Sequence, residues 1–194
     1  MKLAIIKYNA GNIQSVSFAL ERLHVDFIIT DNAEEIQQAD KVIFPGVGEA
    51  STTMNYIRDK KLDKLIVKLK QPVLGVCLGM QLMCKHSEEN NTDCLGIFDE
   101  NVKLFIPQGD MKVPHMGWNQ LKVSKSWLDP TLENQNVYFV HSYYVPVNDY
   151  TSAITEYINP FSAAMNKNNF YAAQFHPEKS AEAGVKVLKS FLSI

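Results

Sequence analysis

The sequence predicts an open, doubly wound α/β domain with a mixed, mostly parallel sheet and helices on both faces. Three observations carry this. Short apolar runs without polar alternation, at residues 3–6, 42–44 and 73–76, read as strands covered on both sides. The stretches between them place apolar residues at helical spacing. Strand and helix then alternate with short connections from Leu3 to Lys85, which implies parallel pairing.

Taken in order, Leu3-Ala4-Ile5-Ile6 is the first strand, and Gly11-Asn12 turns the chain into a helix marked by Ile13, Val16, Leu20 and Leu23. Phe27-Ile28-Ile29 is the second strand, and Val42-Ile43-Phe44 the third, ended by Pro45. Met54, Ile57, Leu62, Leu65, Ile66 and Leu69 place one or two helices in residues 50–69. Val73-Leu74-Gly75-Val76 is another buried strand, residues 78–85 read as helix, and the polar residues 87–93 as a surface loop. The second half is β-rich, at residues 102–106, 121–123, 137–147, 152–157 and 170–175. Few helical patterns separate these pieces, so hairpins or a mixed sheet edge are expected. A last helix carries Val185, Leu188, Phe191 and Leu192 on one face. With no repeat and no low-complexity linker, a single domain over residues 1–194 is expected.

A chain of 194 residues should bury roughly 70% of its extended surface, so it needs no staple. Nineteen basic against 21 acidic residues give a net charge of −2, which offers no field for nucleic acid. Three cysteines in no metal-like spacing argue against a disulfide framework and a zinc site, and no cofactor or metal is expected. No apolar run reaches the roughly 18 residues of a membrane span, and the N-terminus lacks a signal-peptide layout. A cytoplasmic location is expected.

Gly75-Val76-Cys77-Leu78-Gly79 follows a strand and opens a helix, the layout of a nucleophile elbow with cysteine as nucleophile. The small neighbours let a strained turn pass without clash. At a helix start, Cys77 would be favoured as thiolate, and the Leu78 N–H would face an oxyanion. A buried structural cysteine beside a glycine-rich turn is the competing reading. Near the C-terminus, His176-Pro177-Glu178 ends a strand, where sites of open α/β sheets gather. In extended geometry Glu178 would project to the same side as His176 and orient its ring. Together they form a Cys-His-Glu triad candidate. Cys84 and Cys94 read as bystanders, and His24 and His86 as exposed residues near helix ends.

The elbow and the His-Pro-Glu turn together resemble the class I, triad-type glutamine amidotransferases over nearly the whole chain. That resemblance implies a flavodoxin-like fold and a thioester mechanism: Cys77 attacks the carboxamide of L-glutamine, His176 moves the proton, and Glu178 orients His176. Pro45-Gly46-Val47-Gly48 resembles the oxyanion strand, with Val47 supplying an N–H beside that of Leu78. Gly46, Gly48, Gln81, Glu89, Ser142 and Tyr143 match glutamine-binding positions, although an ordinary half-buried strand also describes residues 138–144. Pro114-His115-Met116-Gly117-Trp118-Asn119 and Tyr138-Phe139-Val140-His141-Ser142-Tyr143 resemble the glutaminase subunits of imidazole glycerol phosphate synthases. This second resemblance implies a heterodimer with a (β/α)8-barrel cyclase subunit that uses the ammonia in histidine biosynthesis. Pro114, His115, Met116, Gly117, Trp118, Asn119, Asn12 and Lys179 would face that partner, Lys179 equally reading as a solvated helix-start lysine. A paralogue feeding another synthase, such as one in nucleotide-sugar modification, and a catalytically dead scaffold are the alternatives. One departure stands out: most members have Asp-Tyr-Gly before the Gly-Asn pair, whereas this chain has Lys7-Tyr8-Asn9-Ala10-Gly11-Asn12.

Overall fold

The structure, a computed structural model, describes residues 1–8, 13–124 and 127–194. The first half follows the expected alternation: β1 (Leu3–Ile6), α1 (Ile13–Arg22), β2 (Phe27–Thr30), α2 (Ala33–Gln38), β3 (Lys41–Phe44), α3 (Ala50–Asp59), α4 (Leu62–Ile66), β4 (Val73–Val76) and α5 (Leu78–Leu82). The second half contains β5 (His86–Ser87), β6 (Thr92–Asp93), β7 (Asn101–Leu104), β8 (His115–Gln120), β9 (Lys122–Val123), β10 (Asn136–His141), β11 (Tyr143–Tyr144), β12 (Thr151–Glu156), β13 (Pro160–Lys167), β14 (Phe170–Ala173) and α6 (Ala181–Leu192).

Eight strands form the central sheet in the order β2-β1-β3-β4-β14-β13-β12-β9. The five from β2 to β14 are parallel and the last three antiparallel, so the sheet is mixed as predicted. The unalternating runs are buried on both faces for the expected reason. On β1, Ala4 and Ile6 join a core with Met54, Ile57 and Ile66 of α3 and α4, whereas Leu3 and Ile5 join another with Val16, Leu20, Leu188 and Phe191 of α1 and α6. Each such Leu or Ile contributes about 1.5–3 kcal/mol on burial, which outweighs the weak helix propensities of these short elements.

Of the one or two helices expected in residues 50–69 there are two, because Lys61 takes φ 58°, a left-handed value that breaks the run. Other expectations are revised. α5 stops at Leu82 rather than Lys85, and the Lys85 N–H bonds to the Glu100 carbonyl instead. α2 starts on Asn32, whose side chain accepts from the N–H groups of Glu34 and Glu35, a local signal the apolar spacing did not reveal. Residues 87–93 are no loop: β5 and β6 pair as a hairpin across Glu89–Asn91. The expected strand at 137–147 divides after His141. β10 pairs with β8, while β11 pairs with β7 in a separate four-stranded sheet.

This topology positions the site. β3, β4 and β14 are neighbours, so the segments after their carboxyl ends, around Pro45, Cys77 and His176, converge at one edge of the sheet.

Candidate active site

Cys77 has φ 51° and ψ −109°, a strained conformation for a residue with a side chain. Its N–H is anchored to the Ala173 carbonyl at 2.7 Å, and its own carbonyl accepts from Gln81 N–H at 3.2 Å. Strain of about 1–3 kcal/mol persists only where the surroundings hold it, and here β14 and the first turn of α5 do so. The elbow reading fits this geometry. The dipole argument fits less well, because α5 has only five residues.

His176 and Glu178 are both buried, with His176 Nδ1 at 2.7 Å from Glu178 Oε1. The reason for their juxtaposition differs from the expected extended alternation. Residues Pro177–Lys179 form a single 3-10 turn after an extended His176, and that turn brings the carboxylate round to the ring. Burial opposes a charged imidazole, but the sulfur of Cys77 and then Glu178 favour it, and the balance pushes His176 up to about 10. The triad candidates are therefore together, with the imidazole held as a cation at neutral pH.

A cavity of about 340 Å³ opens over them, large enough for a small amino acid. Val47, Gly48, Leu78, Gln81, Glu89, Val140, His141, Ser142 and Tyr143 line it with Cys77 and His176. Gly46 does not line it. That glycine is buried against the elbow, where a Cβ would meet Gly79 N at 2.2 Å, so its role is close packing rather than ligand contact. Glu89 accepts from the Ala50 N–H at 2.8 Å, and burial holds its carboxyl above the ordinary range against that hydrogen bond. A half-buried carboxylate with raised affinity for protons is equally suited to an ammonium group.

The strand at 115–120 sorts the expected interface residues by its alternation. Met116 and Trp118 are 64% and 55% exposed, a large apolar pair turned outward. His115 points inward and is buried, and Asn119 donates to the Glu156 carbonyl at 2.9 Å. His115 therefore has no side chain to offer a partner. Pro114 lines the cavity as well as the surface, and Gly117 takes φ 135° between the two exposed residues. Lys179 is exposed beside the triad turn, and Asn12 lies outside the described residues, as does most of the atypical first loop. Tyr8, from that loop, was not singled out by sequence. It is buried and its hydroxyl donates to the Pro45 carbonyl, tying the first strand to the segment carrying Val47.

Cys84 and Cys94 are bystanders in this geometry: burial holds the Cys84 thiol well above its ordinary value and pushes Cys94 up to about 12. His24 is exposed, as expected, whereas His86 sits on β5 and pairs with Asp93 rather than a helix end. Among the described residues no cluster of metal-ligating side chains occurs, and no helix is long and apolar enough to cross a membrane.

His141, which lines the cavity, forms a buried pair with His115, His115 Nδ1 lying 3.1 Å from His141 Nε2. His141 Nδ1 donates to the Tyr143 carbonyl at 2.7 Å, which fixes its tautomer and makes Nε2 the acceptor for His115. Burial holds His115 down to about 4. It holds His141 down to about 3, against the Tyr143 hydrogen bond and with the neighbouring imidazoles adding to the effect. The sign of the consequence is fixed. Below the unfolded value of 6.5 the unfolded chain binds protons that the folded chain refuses, so stability falls as pH drops through that window and is level with respect to this pair above it. Allowing for solvent screening at His115, this pair is expected to contribute a loss of about 2 kcal/mol per unit to denaturant titrations between about pH 6.5 and pH 5, and His115→Gln to remove roughly half of that slope. The raised His176 adds its own slope chiefly above pH 6.5, where only the folded imidazole stays protonated.

Comparison with known proteins agrees with this geometry. The family model of class-I glutamine amidotransferases matches residues 4–193. An imidazole glycerol phosphate synthase subunit HisH from Bacteroides thetaiotaomicron is 60% identical over 196 residues, covering 100% of both chains. A subunit of the same name from Vibrio parahaemolyticus is 42% identical, covering 100% of this chain and 98% of its own. Among solved structures, a glutamine amidotransferase superposes with a TM-score of 0.76 at 17% identity over 98% of this chain and 97% of its own. Another from Thermotoga maritima gives 0.63 at 13% identity over 100% of this chain and 83% of its own. At those identities the structures establish the fold, and the family model and the close relatives establish the lineage. The chain belongs to the class-I glutamine amidotransferases, among the HisH subunits of imidazole glycerol phosphate synthase.

Proposed function

We propose that this chain is the glutaminase of an imidazole glycerol phosphate synthase, hydrolysing L-glutamine to glutamate and ammonia through Cys77, His176 and Glu178. The observation that carries the reading is the strained Cys77 elbow sharing one amino-acid-sized cavity with His176 of a buried His176–Glu178 pair. With His176 cationic, the Cys77 sulfur attacks the carboxamide carbon and the imidazolium gives its proton to the departing nitrogen, releasing ammonia and leaving a thioester. His176 then takes a proton from water, hydroxide adds to the thioester, and the sulfur leaves as glutamate forms. The backbone N–H groups of Leu78 and Val47 receive the oxyanion, while Glu89 faces the substrate ammonium and Gln81, Ser142 and Tyr143 border the amino-acid end.

The ammonia passes to a (β/α)8-barrel cyclase subunit in the cytoplasm. Met116 and Trp118, with Pro114, Gly117 and Lys179 beside them, form the surface that meets it, since aromatic residues and Met are enriched in interface cores. One oxyanion donor is worth about 10²–10³ in rate, so completing the hole on docking is expected to stimulate glutamine turnover by on the order of 10²-fold. Measuring turnover of the chain alone, with the cyclase, and with the cyclase and its ligand tests this. Equal rates exclude the gating. Stimulation by a sugar-modifying synthase and not by the cyclase would assign the chain to another pathway.

A further inference from the structure

Gln174 follows β14, between Ala173 and Phe175, and has no exposed surface. A polar side chain so placed must have partners, and here they dictate its orientation. The Tyr143 carbonyl only accepts, so the Gln81 atom 3.0 Å from it is the amide nitrogen. That nitrogen also reaches Gln174 Oε1 at 3.0 Å. The oxygen of Gln174 is thereby committed to Gln81, and its NH2 group is turned on Cys77 Sγ at 3.6 Å. His141 Nδ1 shares the same carbonyl, so one backbone acceptor sets the direction of an imidazole and two amides.

We propose that Gln174 is a further catalytic residue of the glutaminase reaction, its amide N–H donating to the Cys77 sulfur, with Gln81 as the positioning residue that aims it. The proposal rests on the reading of Cys77 as nucleophile. The chemistry of the sulfur requires such a donor. Val140 places a carbonyl 3.9 Å away, which suits an S–H but repels a thiolate. His176 supports the anion while protonated, yet its proton goes to the departing ammonia. When the thioester later collapses, the sulfur must leave as an anion, and a fixed N–H supports it independently of where the His176 proton stands. Gln81 accordingly gives its N–H groups to the protein, leaving its oxygen as the atom available to substrate.

The test is the rate at which iodoacetamide alkylates Cys77 in the full chain at pH 7, followed by mass spectrometry of the Cys77 peptide, together with kcat and KM for glutamine in the complex with the cyclase. Gln174→Met is expected to slow alkylation about 10-fold or more, the usual factor for losing a hydrogen bond to a charged group, and to lower kcat with little change in KM. Gln81→Met leaves Gln174 in place but unaimed, and should slow alkylation in the same direction by a smaller factor. It keeps the test decisive should Gln174→Met fail to fold. A folded Gln174→Met that alkylates at the wild-type rate, or one whose KM rises while kcat holds, overturns the proposal. Retention of glutamine turnover by Cys77→Ala would instead overturn the nucleophile reading beneath it, whatever Gln174→Met does.

Discussion

Cys77→Ala is expected to lower glutamine-dependent synthesis by on the order of 10⁴-fold or more, while the cyclase complex goes on using added ammonia at its usual rate. The size of the loss follows from the mechanism: without the sulfur there is no thioester, and neither His176 nor the oxyanion donors can replace a covalent intermediate. The selectivity follows from position. Cys77 lies at the end of β4, in the cavity proposed to take glutamine, and not on the exposed face carrying Met116 and Trp118, so assembly with the partner should be left intact. Cys84→Ala is the informative contrast. Its sulfur is fully buried and bonded to the Met80 carbonyl, so truncation should cost stability on the order of 1 kcal/mol and spare turnover. Steady-state assays with glutamine and with ammonium salts separate the outcomes. Glutamine-dependent activity persisting in Cys77→Ala would remove the nucleophile assignment.

What was legible in the sequence divides along a physical line. β1, β3 and β4 were readable because burial on both faces writes an unbroken apolar run, and the elbow because close packing demands glycine at fixed offsets from Cys77. β13 was not, since its Ser162-Ala163-Ala164 centre is buried by small residues that carry no strand propensity. β8 was not read as a strand because its alternation is short and inverted, with apolar Met116 and Trp118 facing out and polar His115 facing in. Pairing with β10 determines it instead. The same holds in the site. Cys77, His176 and Glu178 stood out by motif, whereas Gln174 and Tyr8 are placed by hydrogen bonds across distant parts of the chain, to Gln81 and Cys77 for the one and to Pro45 for the other. The signal available for Gln174 was a polar residue inside an apolar stretch, 170–175, which is informative only once burial is known.

The largest effect expected from a residue without functional groups is at Gly79. In an isolated helix, Gly→Ala gains about 1 kcal/mol, so propensity alone predicts that Gly79→Ala stabilises α5. Geometry reverses the sign. A Cβ at Gly79 would lie 2.0 Å from the Phe44 carbonyl oxygen, a backbone atom at the end of β3 that cannot rotate away. Relief requires α5 and the segment that leads from Phe44 to Val47 to separate by more than about 1 Å, and separation moves Leu78 and Val47, the two proposed oxyanion residues, apart. Overpacking of this kind costs about 1–3 kcal/mol or more, and a misplacement of about 1 Å costs roughly 10²-fold in rate. Gly79→Ala should therefore lose about 2 kcal/mol or more of stability in denaturant titrations, and at least 10²-fold in partner-stimulated glutamine turnover. Gly96→Ala supplies the control. Its φ of 69° makes alanine costly by about 1–2 kcal/mol, but nothing lies within 4 Å of the added carbon, so turnover should hold. If both variants lose stability and neither loses turnover, the contact between α5 and the Phe44–Val47 segment has no part in shaping the oxyanion site. If only Gly79→Ala loses turnover, a backbone contact with no chemistry of its own sets the distance on which the chemistry depends.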